Sequence, residues 1–513
     1  MGPSVSEIIE GLSEDAEAAL AAGVLTKALT IYRGILLHDP DHVLALRQSG
    51  AIMLQQNNPL AALDCFQRAV KLSPSDPDLY HGVATALRLS DHIDDAVLAY
   101  QAGLRIDPTH APSLYDLGLL QRRRGKLDDA EVLFRRAAAS GAGQSRFEAE
   151  LQRAVALFKQ DRLPEAERWF HRAGLLNPDD PRPFINVAMI YRTWGHLDAA
   201  VTWLEKALAV APENPDVHWN LAHALLVRGD LARGFAEYEW RFKRAGRAER
   251  AMPMPRWAGE DLRGKTLLLA AEQGMGDLIQ FVRFAEPLAA HGAKVIVECH
   301  PGLETLLATA PGVSSVITLG SVIPAANFYL PVMSAAHMLA VDDAAIRREA
   351  YLSAPPGPKP HLPGSGVRVG LVWRGNPLHE NDQFRSVALS TLQPILEIPG
   401  ATFISLQVGE AHKEIGALNV LGLGTSLTDF AVTARAVMQL DVVITVDTAV
   451  AHLAGALGKQ TWLLLARGND WRWRHARGDT PWYPTLRLFR QAPHRDWSVP
   501  VRQIAAALRE LIG

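Results

Sequence analysis

Alanine recurs at Ala28, Ala62, Ala96 and Ala130, each 34 residues beyond the last. After one slip of two residues the series continues at Ala166 and Ala200, with Gly234 in phase. A second series of small residues runs seven positions later, at Ala69, Gly103, Ala137, Ala173 and Ala207. A third runs twelve positions before the first, at Ala16, Gly50, Ala84, Gly118, Ala154, Ala188 and Ala222. Prolines punctuate the same period at Pro40, Pro74, Pro108, Pro178 and Pro212. Small side chains let paired helices approach closely, and large apolar ones such as Phe66, Tyr100, Phe134, Phe170 and Leu204 fill the space between them. Proline, preceded by Asp or Asn at Asp39, Asp107 and Asn177, stops the second helix of each unit. The unit is therefore helix, turn, helix, stacked about every 34 residues. The slip falls at Ser140-Gly-Ala-Gly-Gln-Ser145 and predicts a local distortion of the stack. The pairs Asp94-Asp95 and Asp128-Asp129 recur at the turn position, where helix starts need them, and are read as such instead of as metal ligands.

An array of this kind curves and offers a long concave surface to a peptide or protein. The simpler reading is that it only spaces or dimerises the second half of the chain; partner binding is favoured because a spacer has little need of so many repeats. The remainder of the 513 residues must form one or two globular bodies. A formal net charge of −3 gives no electrostatic case for nucleic acid. The two cysteines, Cys65 and Cys299, fall in segments of different character, so a disulfide framework is not expected and a reducing, cytoplasmic setting is. The start lacks the pattern of a secretory signal, no apolar run reaches bilayer length, and Met1-Gly2 with Ser6 is a chance-level match to a myristoylation pattern. No stable membrane insertion is expected.

Periodicity fades across Arg241 to Arg263, a basic stretch with Pro253 and Pro255. Beyond it, short β-branched runs begin at Thr266, Lys294 and Ser315, separated by helical spans. A proline- and glycine-rich bridge from Ala354 to Gly366 is followed by further runs at Val367, Thr402, Asp441 and Thr461. Strands alternating with helices predict parallel sheets covered on both faces, here as two Rossmann-like lobes. The expected division is 1–244 for the repeats in about seven units, 245–262 for a linker, 263–360 for the first lobe and 361–513 for the second.

Ligands of open parallel sheets bind at the carboxyl ends of the strands, which singles out four segments. In Glu272-Gln273-Gly274-Met-Gly276-Asp277, the glycines allow a tight strand-to-helix turn. Asp277 there is either a helix cap or a carboxylate able to take a proton from a hydroxyl. After the strand ending at Trp373 comes a loop, containing His379, in which Asn376, Asn381 and Arg385 are donors suited to a diphosphate or sugar, unless it is an ordinary polar loop. In Val442-Val-Ile-Thr-Val-Asp447-Thr448-Ala-Val-Ala-His452, a buried strand turns directly into an alanine-rich helix whose free N–H groups attract an anion. Thr448 and His452, four apart, share a side of that helix, and His452 near its start should stay neutral; the plainer reading is a packed histidine. Asn469-Asp-Trp471-Arg472-Trp473-Arg474, leading to Trp482-Tyr483-Pro484, could stack on a base or sugar, or equally pack the lobes.

The repeats resemble the tetratricopeptide family over residues 9–244. The Gly-Met-Gly-Asp277 turn and the Asp447-Thr-Ala-Val-Ala-His452-Leu-Ala-Gly-Ala-Leu-Gly segment resemble the heptosyltransferase-like GT-B glycosyltransferases over residues 262–512. The combination, with Trp-Arg-Gly-Asn-Pro and Asp-Trp-Arg-Trp strings, is similar to bacterial repeat-containing protein O-glycosyltransferases, some implicated in glycosylating flagellin. The implied fold is an all-α tetratricopeptide superhelix followed by an α/β GT-B pair of lobes. The resemblance implies a transferase moving a sugar from a nucleotide-sugar to a Ser or Thr hydroxyl of a protein, flagellin among the acceptors, that the repeats recruit. It implies no cofactor, no metal, inversion at the anomeric carbon and Asp277 as catalytic base. Substrate contacts are expected at Gln273, Gly274, Gly276, Trp373, Asn376, Asn381, Arg385, Asp447, Thr448, His452 and Trp471. Ala449 departs from the glycine common in that family, which alters the backbone approach there. UDP-, GDP-, ADP- and CMP-linked donors all remain open. The alternatives are a transferase acting on surface polysaccharide or lipid-linked glycan, and a catalytically inactive repeat scaffold.

Overall fold

The structure is a computed structural model that describes residues 4–346, 349–362, 364–378, 382–416, 418–467, 470–492 and 496–513. Fourteen helices come first. They are α1 Val5–Ala21, α2 Leu25–His38, α3 Val43–Gln55, α4 Pro59–Leu72, α5 Pro77–Leu89, α6 Ile93–Ile106 and α7 Ala111–Arg123. They continue as α8 Leu127–Ser140, α9 Gly143–Lys159, α10 Leu163–Leu176, α11 Arg182–Trp194, α12 Leu197–Val210, α13 Pro215–Arg228 and α14 Leu231–Tyr238. The chain divides into two compact units, residues 1–190 with 209–211, and residues 191–208 with 212–513.

In the first unit each helix from α1 to α9 packs on its successor. The periodic alanines explain how: Ala28, Ala62, Ala96, Ala130 and Ala166 are all fully buried. Two glycines are needed for the same reason, since a β-carbon at Gly50 or Gly82 would stand 2.8 or 2.5 Å from the Phe66 ring that wedges between them. Asp94 and Asp95 occupy the first turn of α6, and Asp128 and Asp129 that of α8, favourable positions at the positive end of a helix. The two-residue slip is absorbed by α9, which starts early and runs 17 residues where α3, α5 and α7 run 13.

The second unit holds two parallel sheets. Strands β1 Thr266–Ala270, β2 Lys294–Cys299, β3 Val313–Thr318 and β4 Phe328–Pro331 form the first, in the order β3-β2-β1-β4. Strands β5 Val367–Val372, β6 Ala401–Ser405, β7 Leu421–Gly422, β8 Val442–Val446, β9 Thr461–Leu465 and β10 Leu486–Arg490 form the second, in the order β10-β9-β8-β5-β6-β7. Counted from its first strand, the second sheet has the 3-2-1-4-5-6 order of doubly wound dinucleotide-binding domains. Strands β4, β7 and β10 lie outside the seven apolar runs of the sequence. β4 has four residues, β7 has two exposed ones, and β10 alternates Leu486 with an exposed Arg487.

One apolar core joins the faces of both lobes to the end of the repeats. Leu226, Phe235 and Tyr238 of α13 and α14 share it with Phe281, Leu453, Trp471 and Trp482. The opposite face of the second sheet packs separately on the carboxyl-terminal helix Ser498–Ile512, around Trp373, Phe403 and Leu508. Both connecting stretches are docked. Residues 255–257 run beside β4, with Trp257 N–H donating to the Tyr329 carbonyl at 2.8 Å. The bridge is tied at Tyr351 and Leu352, whose N–H groups both donate to the Ala456 carbonyl at 3.1 Å.

Candidate functional site

Each sheet has one place where the chain leaves neighbouring strands in opposite directions, and a crevice opens there at the carboxyl ends. In the first sheet it lies between β1 and β4, and in the second between β5 and β8. The Gln273–Asp277 turn follows β1, and Asp447-Thr448 follows β8. The loop carrying Asn376 and Arg385 follows β5, so three of the four singled-out segments sit at such points.

Gln273 has φ 59, left-handed backbone that a residue with a β-carbon keeps only when its surroundings impose it. Its surroundings do: the Gln273 side chain donates to the Tyr238 hydroxyl at 2.9 Å, and its carbonyl accepts from His300 Nε2 at 2.8 Å. Beside it, Glu272 accepts from Arg241 Nη2 at 2.9 Å and Nε at 3.0 Å and from the Met333 N–H at 2.7 Å. Burial pushes that carboxyl up against the pull of Arg241. The turn is thus braced by Tyr238 and Arg241, from the end of α14 and the segment after it.

Asp277 is the third residue of the helix Met275–Phe281. One carboxylate oxygen accepts from the Gly274 N–H at 2.9 Å, and the other from Arg472 Nη2 at 2.5 Å. Gly274 and Gly276 make the approach possible. A β-carbon at Gly276 would stand 2.8 Å from His452 Cδ2 and 3.5 Å from the Ala449 Cα. The turn after β1 and the helix after β8 are therefore in contact, backbone to side chain.

His452 is buried in the helix Ala449–Ala456, stacked on Trp473 at 5.3 Å and hydrogen-bonded through Nδ1 to the Tyr483 hydroxyl at 2.9 Å. Burial, reinforced by Arg472, holds it down to about 3, so it is neutral at ordinary pH and packed. Thr448 caps that helix with extended backbone, its hydroxyl 3.2 Å from that of Thr445. Asp447 is partly buried, and burial together with the Asp470 charge pushes its carboxyl up to about 6, against Trp473, Arg385 and Arg472.

Arg472 ties these groups together. It is buried, donates to Asp470 at 2.9 Å and to Asp277 as above, and also to Gln280. Burial opposes its charge, but Asp470 and Asp277 outweigh that and raise it. Asp470, despite burial, is held low by Arg472. His223 of α13 belongs to the same neighbourhood: burial, Arg192 and Arg472 lower it to about 4, against Asp470.

Arg385 ends the short helix Asp382–Arg385, donates to Asp382 at 3.2 Å and lies close enough to Asp447 to bias its ionisation. Asn376 is exposed, its oxygen accepting from the Leu378 N–H at 3.0 Å. Trp373 is buried in the core of the second lobe and Trp471 in the core shared with the repeats, so neither ring faces an opening. Asn381 and His379 lie outside the described residues. Tyr238 and His223 carry no signal in the sequence, because the repeat pattern hides them. Arg472 and Asp470 stand in a segment the sequence does single out, but their pairing with Asp277 is not local.

Fold and site together define the class: tetratricopeptide repeats followed by two parallel α/β lobes that meet at their carboxyl edges. Tetratricopeptide repeat families match residues 14–77, 53–111 and 99–132, and a TPR repeat family matches 188–227. Among particular proteins, the chain is 26% identical to Protein FlbA of Caulobacter vibrioides over 530 residues, 95% of this chain and 82% of that one. It is 30% identical over 109 residues to the probable UDP-N-acetylglucosamine–peptide N-acetylglucosaminyltransferase SPINDLY of Hordeum vulgare, 20% of this chain and 12% of that protein. It is 22% identical over 210 residues to the human Protein O-mannosyl-transferase TMTC3, 40% of this chain and 22% of that one. The chain thus spans less than a quarter of either named transferase. Among solved structures, a tetratricopeptide repeat protein from Parabacteroides merdae aligns with TM-score 0.38 at 20% identity, covering 45% of this chain and 91% of that one. Among the described residues, no helix is long and apolar enough to cross a membrane.

Proposed function

We propose that the chain is a glycosyltransferase of GT-B type that moves a sugar from a nucleotide-sugar to a hydroxyl of a protein recruited by its repeats. The observation that carries the reading is the meeting of the Gly274–Asp277 turn with the Asp447–His452 segment, each at the switch point of its own sheet. Relatives named as glycosyltransferases support the class of reaction. In this reading Asp277 takes the acceptor proton as the acceptor oxygen bonds to the anomeric carbon. The bond from that carbon to the phosphate oxygen breaks in the same step, which inverts the centre. The nucleotide leaves with its charge met by Arg385 and by the free N–H groups ahead of Ala449. Gln273, Gly274, Gly276, Asn376, Asp447 and Thr448 belong to the substrate walls of this proposal, with His452, Trp373 and Trp471 supporting them from the cores. Flagellin remains among the acceptors.

A second reading is favoured by one observation: both oxygens of Asp277 are already engaged, by Gly274 and by Arg472. That is also how a purely structural aspartate would be held, as an inactive scaffold requires. Substituting Asp277→Ala separates the two. The transferase reading expects turnover of nucleotide-sugar, assayed across UDP-, GDP-, ADP- and CMP-linked donors, to fall by at least about a hundredfold. Equal turnover in both forms would remove Asp277 from catalysis.

A further inference from the structure

The segment after β9 serves two regions at once. Its first part, Asp470 to Trp473, carries Arg472 into the site, where it donates to Asp277, Asp470 and Gln280. Its second part leaves the site and runs to the turns of the terminal helices. Gly229, at φ 104 between α13 and α14, faces the Arg474 guanidinium, and Gly195, at φ 82 between α11 and α12, faces the His475 ring. A β-carbon at either glycine would overlap those side chains. Arg474 is buried and also pairs with Asp343.

The chain between these two ends has no slack. Arg474 and Ala476 both have φ 53, strained for residues with a β-carbon and kept only where the surroundings dictate it. Arg490 Nη2 donates to the carbonyls of Trp473 and Arg474, at 2.6 and 3.2 Å. Thr480 Oγ1 donates to the Arg472 carbonyl at 3.1 Å. A single residue, Trp473, separates the arginine in the site from the arginine in the repeat turn.

We infer that Arg474 and His475 are positioning residues. Keyed into the α11–α12 and α13–α14 turns, they set the register of the Asp470–Ala476 segment and so hold the Arg472 guanidinium against Asp277. The terminal repeats are then part of the reaction's apparatus, which rests on the reading of Asp277 as the base. The same turn has left-handed φ in the earlier units too, at Gly23, Asn57, Asp91, Gly125 and Asp161. What sets Gly195 and Gly229 apart is that His475 and Arg474 fill the space a β-carbon would take, whereas Gly23 and Gly125 face open space.

The test uses the full chain carrying Arg474→Ala with His475→Ala, the conservative Arg474→Lys, and Gly229→Ala, which perturbs the same contact from the other side. Two measurements are taken: hydrogen exchange of the amides from Trp471 to Trp473, and steady-state turnover of a panel of UDP-, GDP-, ADP- and CMP-linked sugars. The double variant and Gly229→Ala are expected to speed exchange in that segment about tenfold or more. They are expected to lower kcat about tenfold with KM for the donor within about twofold, a split that loss of packing alone does not produce. Arg474→Lys, which keeps the pairing with Asp343, should stay near wild type in both. Unchanged protection of Trp471 to Trp473 would overturn the inference, and so would faster exchange with kcat intact. If the wild type turns over none of the panel, that failure falls on the transferase reading, and the exchange result still decides the keying.

Discussion

Arg472 concentrates more of the molecule's electrostatics than any other side chain at the site. A buried guanidinium between two carboxylates is stable only while all three are present, because each lone partner would be a desolvated charge. Replacing Arg472→Met should therefore destabilise the second unit by about 3–5 kcal/mol in urea denaturation, and Arg472→Lys should recover little of it, since an ammonium cannot serve three acceptors in a planar fork. A loss under about 1 kcal/mol would mean the carboxylates are solvated and the cluster is not what holds the turn. The local part of this arrangement was legible: glycine, glycine, aspartate after an apolar strand announces a tight turn into a helix. The partner was not, because Arg472 lies 195 residues from Asp277.

The turn after β8, the helix Ala449–Ala456 and α13 carry titrating groups whose effects on stability oppose one another. Asp447 titrates near 6 in the folded chain, above the ordinary 3.8, so folding disfavours its charge. Its contribution is therefore adverse above about pH 6 and disappears as the pH falls towards 4. His452 and His223, held to about 3 and about 4, work the other way. The unfolded chain protonates them below their ordinary 6.5 while the fold refuses, so stability is lost as the pH drops. Asp447→Asn should raise stability by on the order of 2 kcal/mol at about pH 8 and change it little near pH 4, read from denaturation midpoints. Equal effects at both pH values would show that Asp447 does not carry the burden assigned to it. The sequence places His452 on its helix and leaves open whether it is packed; stacking on Trp473 and bonding to Tyr483 make it so.

For the entire chain, the relevant boundary is not where helical repeats give way to strands. Helices α13 and α14 share the core of the lobes through Leu226, Phe235 and Tyr238, and Arg241 braces Glu272. Removing residues 1–180 should leave a cooperatively folding remainder that still turns over nucleotide-sugar but transfers poorly to a protein acceptor. Removing residues 1–240 strips that shared core and should abolish cooperative unfolding, as followed by circular dichroism. Undiminished transfer to protein after the shorter truncation would dismiss recruitment by the repeats.

Interactions a few residues long leave a periodic trace in the chain. The 34-residue alternation of small and large side chains, the prolines that end helices, the β-branched runs and the glycines before Asp277 are all of that kind, and they specify helices, parallel strands and turns without reference to anything distant. Pairings between remote segments leave no such trace. That Gly276 lies against His452, that Trp373 and Trp471 are core, and that the last repeats grip the arginine loop all depend on how finished elements pack. Packing is settled by shape and by the need to satisfy buried charge, and neither is written at any one position along the chain.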